Sequence, residues 1–249
     1  MARKALVALA LAALAALAAG ARLDIFEVRT SGGYLFDVMA ESSMGISDGL
    51  SDAYDGCYML RVGGAEVQQA SAAIIGRGRG LQGPRVPASG IKVSRQIYVP
   101  EKGDWARYYD VFVNDSKAAQ TVDVELFGNL GSDSSTKIVT TSDGDGLAEV
   151  ADTWIATDDY ADGSGDPSLA HVFRRDRGKM RPESVTITDD NLSIRYRLKL
   201  GPQKSAAVLF FAVQTTNSGE AARLAKELAA FGAPAREGLG AEAIRIIAN

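Results

Sequence analysis

The sequence predicts an all-β protein, mainly antiparallel, built as a large β-sandwich with a short helical C-terminal segment. Three observations predict it. Thr121–Phe127 and Leu192–Leu200 alternate with period two, placing Val122, Val124 and Leu126, and then Leu192, Ile194, Tyr196, Leu198 and Leu200, on one face and polar residues on the other. Ala206–Val213 is apolar throughout, as a strand covered on both faces must be. Turn-forming clusters separate many such runs, and no helical periodicity intervenes before Gln214, which excludes the parallel α/β classes.

In chain order, Met1–Ala21 has the three parts of a secretory leader: Arg3 and Lys4, the apolar run Ala5–Ala19, and the small residues Ala19-Gly20-Ala21 before Arg22. The run is shorter than the ~20 residues that span a bilayer. The expected location is therefore secreted or periplasmic, with no stable membrane span after cleavage. Strands are expected at Leu23–Arg29, Tyr34–Met39, Cys57–Val62, Ala65–Ala70, Lys92–Val99, Ala106–Val113, Thr121–Phe127, Lys137–Thr141, Thr153–Ala156, Leu169–Phe173, Ser184–Thr188, Leu192–Leu200 and Ala206–Val213. Gly63-Gly64 marks a tight hairpin, and Ser31-Gly32-Gly33, Asn114–Lys117, Thr188–Asn191 and Gly201-Pro202 mark other turns. Asn217 followed by Glu220 has the spacing of a reciprocal helix cap, and Leu224, Leu228 and Phe231 form a stripe before Gly232 and Pro234 end the helix. A second short helix is expected at Ala241–Ala248. The domain reading is a leader over 1–21, a sandwich over 22–216, and helices over 217–249 packed on an open face or edge.

The chain has 249 residues, one Cys and one His, and a formal charge of −4, which loss of the leader with Arg3 and Lys4 lowers by two. Such acidity gives no general attraction to nucleic acid. Cys57 has no partner for an internal disulfide and is expected as a buried thiol. A lone His171, without a nucleophile-elbow motif or further His, fits neither a Ser–His–Asp hydrolase nor a catalytic zinc centre.

Three Asp/Gly-rich loops, Asp48–Gly56, Asp133–Gly146 and Asp158–Asp166, supply the oxygens that calcium selects. Asp158, Asp159, Asp162 and Asp166, with Asp143 and Asp145, are the candidate Ca2+ ligands; the alternative is turn chemistry in which each carboxylate satisfies its own backbone. Trp105, Tyr108 and Tyr109, flanked by Glu101, Asp104 and Asp110, offer ring faces of the kind that stack on sugars, or else fill the core. Arg174, Arg175 and Arg177, with Lys179 and Arg181, form a basic run suited to an anionic polymer, and Arg77, Arg79 and Arg85 form a second basic segment.

The segments Val93–Pro100, Ala106–Val111 with Asn114, Gly128–Asp133, Trp154, Thr157-Asp158-Asp159 and Asp166–His171 resemble a secreted bacterial β-sandwich domain of unknown function. The resemblance covers most of the chain after the leader and implies a cell-surface setting and a sandwich of the carbohydrate-associated kind. It carries over no catalytic residue. Sugar mutarotases on large sandwiches use more than one His, and the single His171 argues against that chemistry. The expectation is an exported, non-catalytic binding or surface-assembly module, with a glycan or cell-surface polymer as partner. The alternatives are a carbohydrate-active enzyme using a carboxylate pair and a structural subunit of a cell-surface assembly.

Overall fold

Alternation along the strands is what separates the layers. In a computed structural model that describes residues 24–159 and 161–249, strands β1 (Ile25–Arg29) and β2 (Leu35–Met39) form a ribbon. Strands β3 (Tyr54–Val62), β4 (Ala65–Glu66), β10 (Gln120–Leu130), β14 (Ser184–Thr188) and β15 (Asn191–Leu200) form a five-stranded sheet in the order β14-β15-β10-β3-β4. The second sheet has nine strands. These are β5 (Ala73–Ile75), β6 (Gly80–Gln82), β7 (Val86–Ala88), β8 (Ile91–Tyr98), β9 (Trp105–Asn114), β11 (Lys137–Thr141), β12 (Trp154–Asp158), β13 (Ser168–Val172) and β16 (Lys204–Thr215). Their order is β11-β12-β13-β16-β9-β8-β6-β5, with β7 on β8, and every strand pair is antiparallel.

The expected leader lies outside the described residues. The expected strand over Ala65–Ala70 shrinks to β4, while β5, β6 and β7 arise in a segment whose Gly and Arg content reads as loop. Glycines punctuate that segment without preventing short pairings to β8. Gly63 and Gly64, both at positive φ, make the expected β3–β4 hairpin.

The inner faces meet in one core. Val122, Val124, Leu126, Ile194, Tyr196 and Leu198 of the small sheet pack against Tyr108, Phe112, Val208, Phe210 and Ala212 of the large one. The opposite face of the large sheet is also dry. Trp105, Tyr109, Trp154, Leu209, Phe211 and Val213 lie there beneath helix α1 (Ser218–Ala229), so β16 shows no alternation in burial. The buried side of α1 is Ala221, Ala225, Leu228 and Ala229, with Leu224 and Phe231 only partly covered. Small residues let this helix lie close on the sheet. Asn217 caps α1 by accepting from the Glu220 backbone N–H at 3.0 Å, but the Glu220 carboxylate pairs with Arg223 rather than reaching back, so half of the expected reciprocal cap forms. Helix α2 is shorter than expected, Ala241–Arg245. Among the described residues, no helix is long and apolar enough to cross a membrane.

Candidate functional site

The groups with the most chemical potential in the sequence are spent on structure. His171, on β13, points into the inter-sheet core and is 1% exposed. Its Nδ1 meets the Tyr58 hydroxyl at 2.9 Å and its Nε2 the Thr157 hydroxyl at 3.0 Å. Burial pushes its pKa down to about 3. Beside it, Arg95 on β8 donates Nε and Nη2 to the two carboxylate oxygens of Asp110 on β9, at 2.7 and 2.8 Å, and Nη1 to the carbonyls of Tyr58 and Ser43. Both side chains are fully buried. Cys57 is buried too, and burial pushes its thiol up to about 12, where it is unreactive.

The aromatic trio divides between two interiors. Tyr108 stacks on Tyr58 at 5.1 Å between the sheets. Trp105 and Tyr109 lie on the opposite face of β9. The Tyr109 hydroxyl donates to the Ala243 carbonyl. Trp105 packs edge-on against Phe211 and borders a mostly apolar hollow of about 340 Å3 with Leu224, Leu228 and Pro234. The alternation of β9 alone separates residues 108 and 109.

The first and third Asp/Gly loops meet at one end of the sandwich. Asp37 holds the first loop by accepting from the Asp48 and Gly49 backbone N–H groups. In the third loop, Asp158 accepts from Ser168 Oγ and its neighbour's N–H, Asp159 from the N–H groups of Ala161 and Asp166, and Asp162 from Ser218 N–H and Oγ. Asp166 borders a hollow of about 180 Å3 with Tyr34, Leu50 and Thr215. Burial, then the charges of Asp159, Asp52 and Asp133, push its carboxyl above the ordinary range. Asp143 and Asp145 form a separate exposed group with Glu149, one ligand atom of each lying within 4.8 Å of the others. Thr141 Oγ1 lies 2.9 Å from Asp143 Oδ1 and 3.2 Å from Asp145 Oδ1.

A carboxylate group also lines a cleft of about 330 Å3 on the outer face of the small sheet, where Asp123, Glu125 and Glu183 face Arg61, Arg195 and Arg197. All three acids are ion-paired. Glu125 is partly buried, which raises its pKa, yet donation from Ser193, Arg195 and Arg61 leaves it below the ordinary value, the reverse of what a general acid needs.

The basic run lines an open, charged groove. Arg174 turns inward, its Nε donating to the Asp152 carbonyl and its Nη2 to that of Ala151. Arg175 reaches the chain that follows α2: Nε donates to the Asn249 carbonyl at 2.6 Å and Nη2 to the Ile247 carbonyl at 2.8 Å. Met180 N–H donates to the Ala248 carbonyl, while Ala207 N–H donates to the Ile246 carbonyl and Ala248 N–H to the Ala207 carbonyl, a parallel bridge that adds Ile246–Ala248 alongside β16. The Asn249 side chain is buried, donating to the carbonyls of Phe173 and Leu209 and accepting from Leu209 N–H. Between these two walls lies a groove of about 460 Å3, lined by Arg175, Arg177, Lys179 and Arg245 with Met180, Ile247 and Ala248. Arg177, Lys179 and Arg245 are exposed.

Of the basic residues singled out from the sequence, Arg175, Arg177 and Lys179 therefore share a site and Arg174 is structural. Arg79 is structural too, donating to the carbonyls of Val99, Arg29 and Pro100. Arg245, Ile247 and Ala248 escape sequence reasoning, because they join the groove only through α2 and the return of the chain after it.

No family model matches the chain, and no curated protein matches it. Solved structures do. A polysaccharide lyase is 11% identical, with 84% of this chain and 35% of that one covered and a TM-score of 0.49. A galactose mutarotase-like protein from Lactobacillus casei is 6% identical, with 76% and 99% covered and a TM-score of 0.46. A 4-alpha-glucanotransferase from Thermococcus litoralis is 9% identical, with 77% and 37% covered and a TM-score of 0.44. The chain thus spans little more than a third of the lyase and of the transferase. At such values the likeness is one of broad sheet arrangement and carries no function.

Proposed function

We propose that this chain is an exported, non-catalytic binding module that holds an anionic glycan along the Arg175–Met180 groove. One observation carries the reading: cations from two separate segments converge on an open groove with an apolar floor. Guanidinium forks suit carboxylate and sulfate groups, and Met180, Ile247 and Ala248 suit the C–H faces of sugar rings. A glycan is favoured over nucleic acid because, among the described residues, no aromatic ring lines the groove for bases to stack on. Binding is favoured over catalysis because His171 is sealed and neutral and the carboxylates of the small-sheet cleft are ion-paired.

Isothermal titration of the mature protein against acidic and neutral polysaccharides tests this. Acidic chains should bind and neutral ones should not, with affinity falling as salt rises. Arg177→Ala with Lys179→Ala should weaken binding about tenfold or more, as expected when two charge-assisted contacts are lost. Equal binding of neutral and acidic chains, or none at all, would sink the reading. Export is tested separately: the secreted protein should begin at Arg22.

A surface-assembly role draws on a different feature. β11 is an edge strand paired only to β12, and Val139 on it, with Leu147 and Val150 nearby in sequence, is exposed. A strictly monomeric protein at high concentration counts against that role.

A further inference from the structure

The four cations of the groove are not equivalent. Arg177 and Lys179 make no hydrogen bond or ion pair among the described residues. Arg175 commits two N–H groups to backbone carbonyls, which fixes the wall and leaves its charge in place. Arg245 alone is already neutralised. Glu242, one turn earlier on α2, takes Nε on one oxygen at 2.8 Å and Nη2 on the other at 2.5 Å. Glu242 is not among the residues lining the groove, so it competes for Arg245 from outside it.

We propose that Glu242 is a specificity-determining residue: an internal competitor for Arg245 that tunes the groove toward ligands carrying several negative charges. The inference rests on the anionic-glycan reading above. A single anion meets the two free cations, Arg177 and Lys179. It gains little from taking Arg245, because one carboxylate merely replaces another. A chain with repeated anions behaves differently. Once anchored at Arg177 and Lys179, it presents its next anionic group to Arg245 at high effective concentration, and the exchange becomes favourable. Both members of the pair are exposed, and exposed ion pairs are weak and reversible. Glu242 therefore tunes affinity without closing the site.

The test uses the full mature chain and two probe pairs, an oligogalacturonate and an oligomannuronate, each with its monosaccharide, titrated at several salt concentrations. Glu242→Gln should tighten the short ligand about two- to fivefold, the scale of one exposed ion pair, and narrow the preference for the oligomer. For the short ligand, the gain from Glu242→Gln should shrink as salt rises, which changes its salt slope relative to wild type. Arg245→Ala should weaken only the oligomer and erase the effect of Glu242→Gln when the two are combined. If the wild type binds an oligomer but Glu242→Gln leaves affinity and salt slope unchanged, or acts equally without Arg245, the role of Glu242 is overturned while the binding reading stands. If the wild type binds neither oligomer, both fall together. Equal melting temperatures across the variants keep folding out of the comparison.

Discussion

His171 shows at the scale of one residue how burial decides chemistry. Folded His171 takes a proton only below about 3, whereas the free imidazole takes one below its ordinary 6.5. Between those values protons favour the unfolded chain. Its stabilisation is complete above 6.5 and is lost as pH falls, with a slope approaching about 1.4 kcal/mol per pH unit. Denaturant unfolding of wild type and His171→Gln between pH 7 and 5 should show the slope in the first and a flatter curve in the second. Identical curves would mean that the ring is reached by solvent. The carboxyls of Asp37, Asp158 and Asp166, raised mainly by burial, act in the opposite sense, and the difference between the two proteins removes them. The sequence shows that this histidine is alone, and so unsuited to a triad or a zinc cage. It cannot show that Tyr58, which sits at a positive φ of 60° in β3, brings its hydroxyl across the sandwich to meet the ring. That contact joins residues far apart in the chain and leaves no local pattern.

At the scale of elements, legibility followed locality. β11 and β14 fall where the sequence places them, because alternation and flanking turns are short-range signals. β5, β6 and β7 were hidden by glycines, since β6 and β7 are placed by pairing with β8, and β5 by pairing with β6, and not by their own propensity. The start of α1 was legible as well. Asn217→Ala should cost about 1 kcal/mol in unfolding free energy, as loss of an N-cap does. Glu220→Gln should cost much less, because its exposed carboxylate pairs with Arg223 and Glu227 lies on the same guanidinium. Equal losses in the two variants would restore the reciprocal cap. The stripe was read in part: Leu228 is buried as expected and Leu224 and Phe231 are partly covered, but the closest contact is made by Ala221, Ala225 and Ala229, because a flat, dry sheet face admits a helix most closely where its side chains are small.

For the whole molecule, the question of calcium turns on how many oxygens remain unspent. Both carboxylate oxygens of Asp158, Asp159 and Asp162 already accept from protein donors, which leaves the exposed Asp143–Asp145–Glu149 group as the open acidic cluster among the described residues. Calcium takes 6–8 oxygens. The melting temperature should therefore differ by less than about 2 °C between millimolar calcium and chelator, a shift below the scale of about 1 kcal/mol for a domain of this size. A larger rise that Asp143→Ala abolishes would assign an ion to that loop. The basic groove was half legible for the same reason that the loops were: charge runs are local, while the wall that completes them arrives from the far end of the chain.

Arg95 and Asp110 face each other directly in the β8–β9 register. A slip of one residue in this pairing would turn one partner out of the core and leave the other charged, dry and alone, a penalty of about 3–5 kcal/mol. Strands of an antiparallel sandwich form many long-range pairings during folding, and β9, buried on both faces along most of its length, has little alternation of its own to fix its register. The pair thus acts as a checksum on strand alignment. A chain that has collapsed with the wrong pairing cannot satisfy it, and must reopen before the two sheets can close.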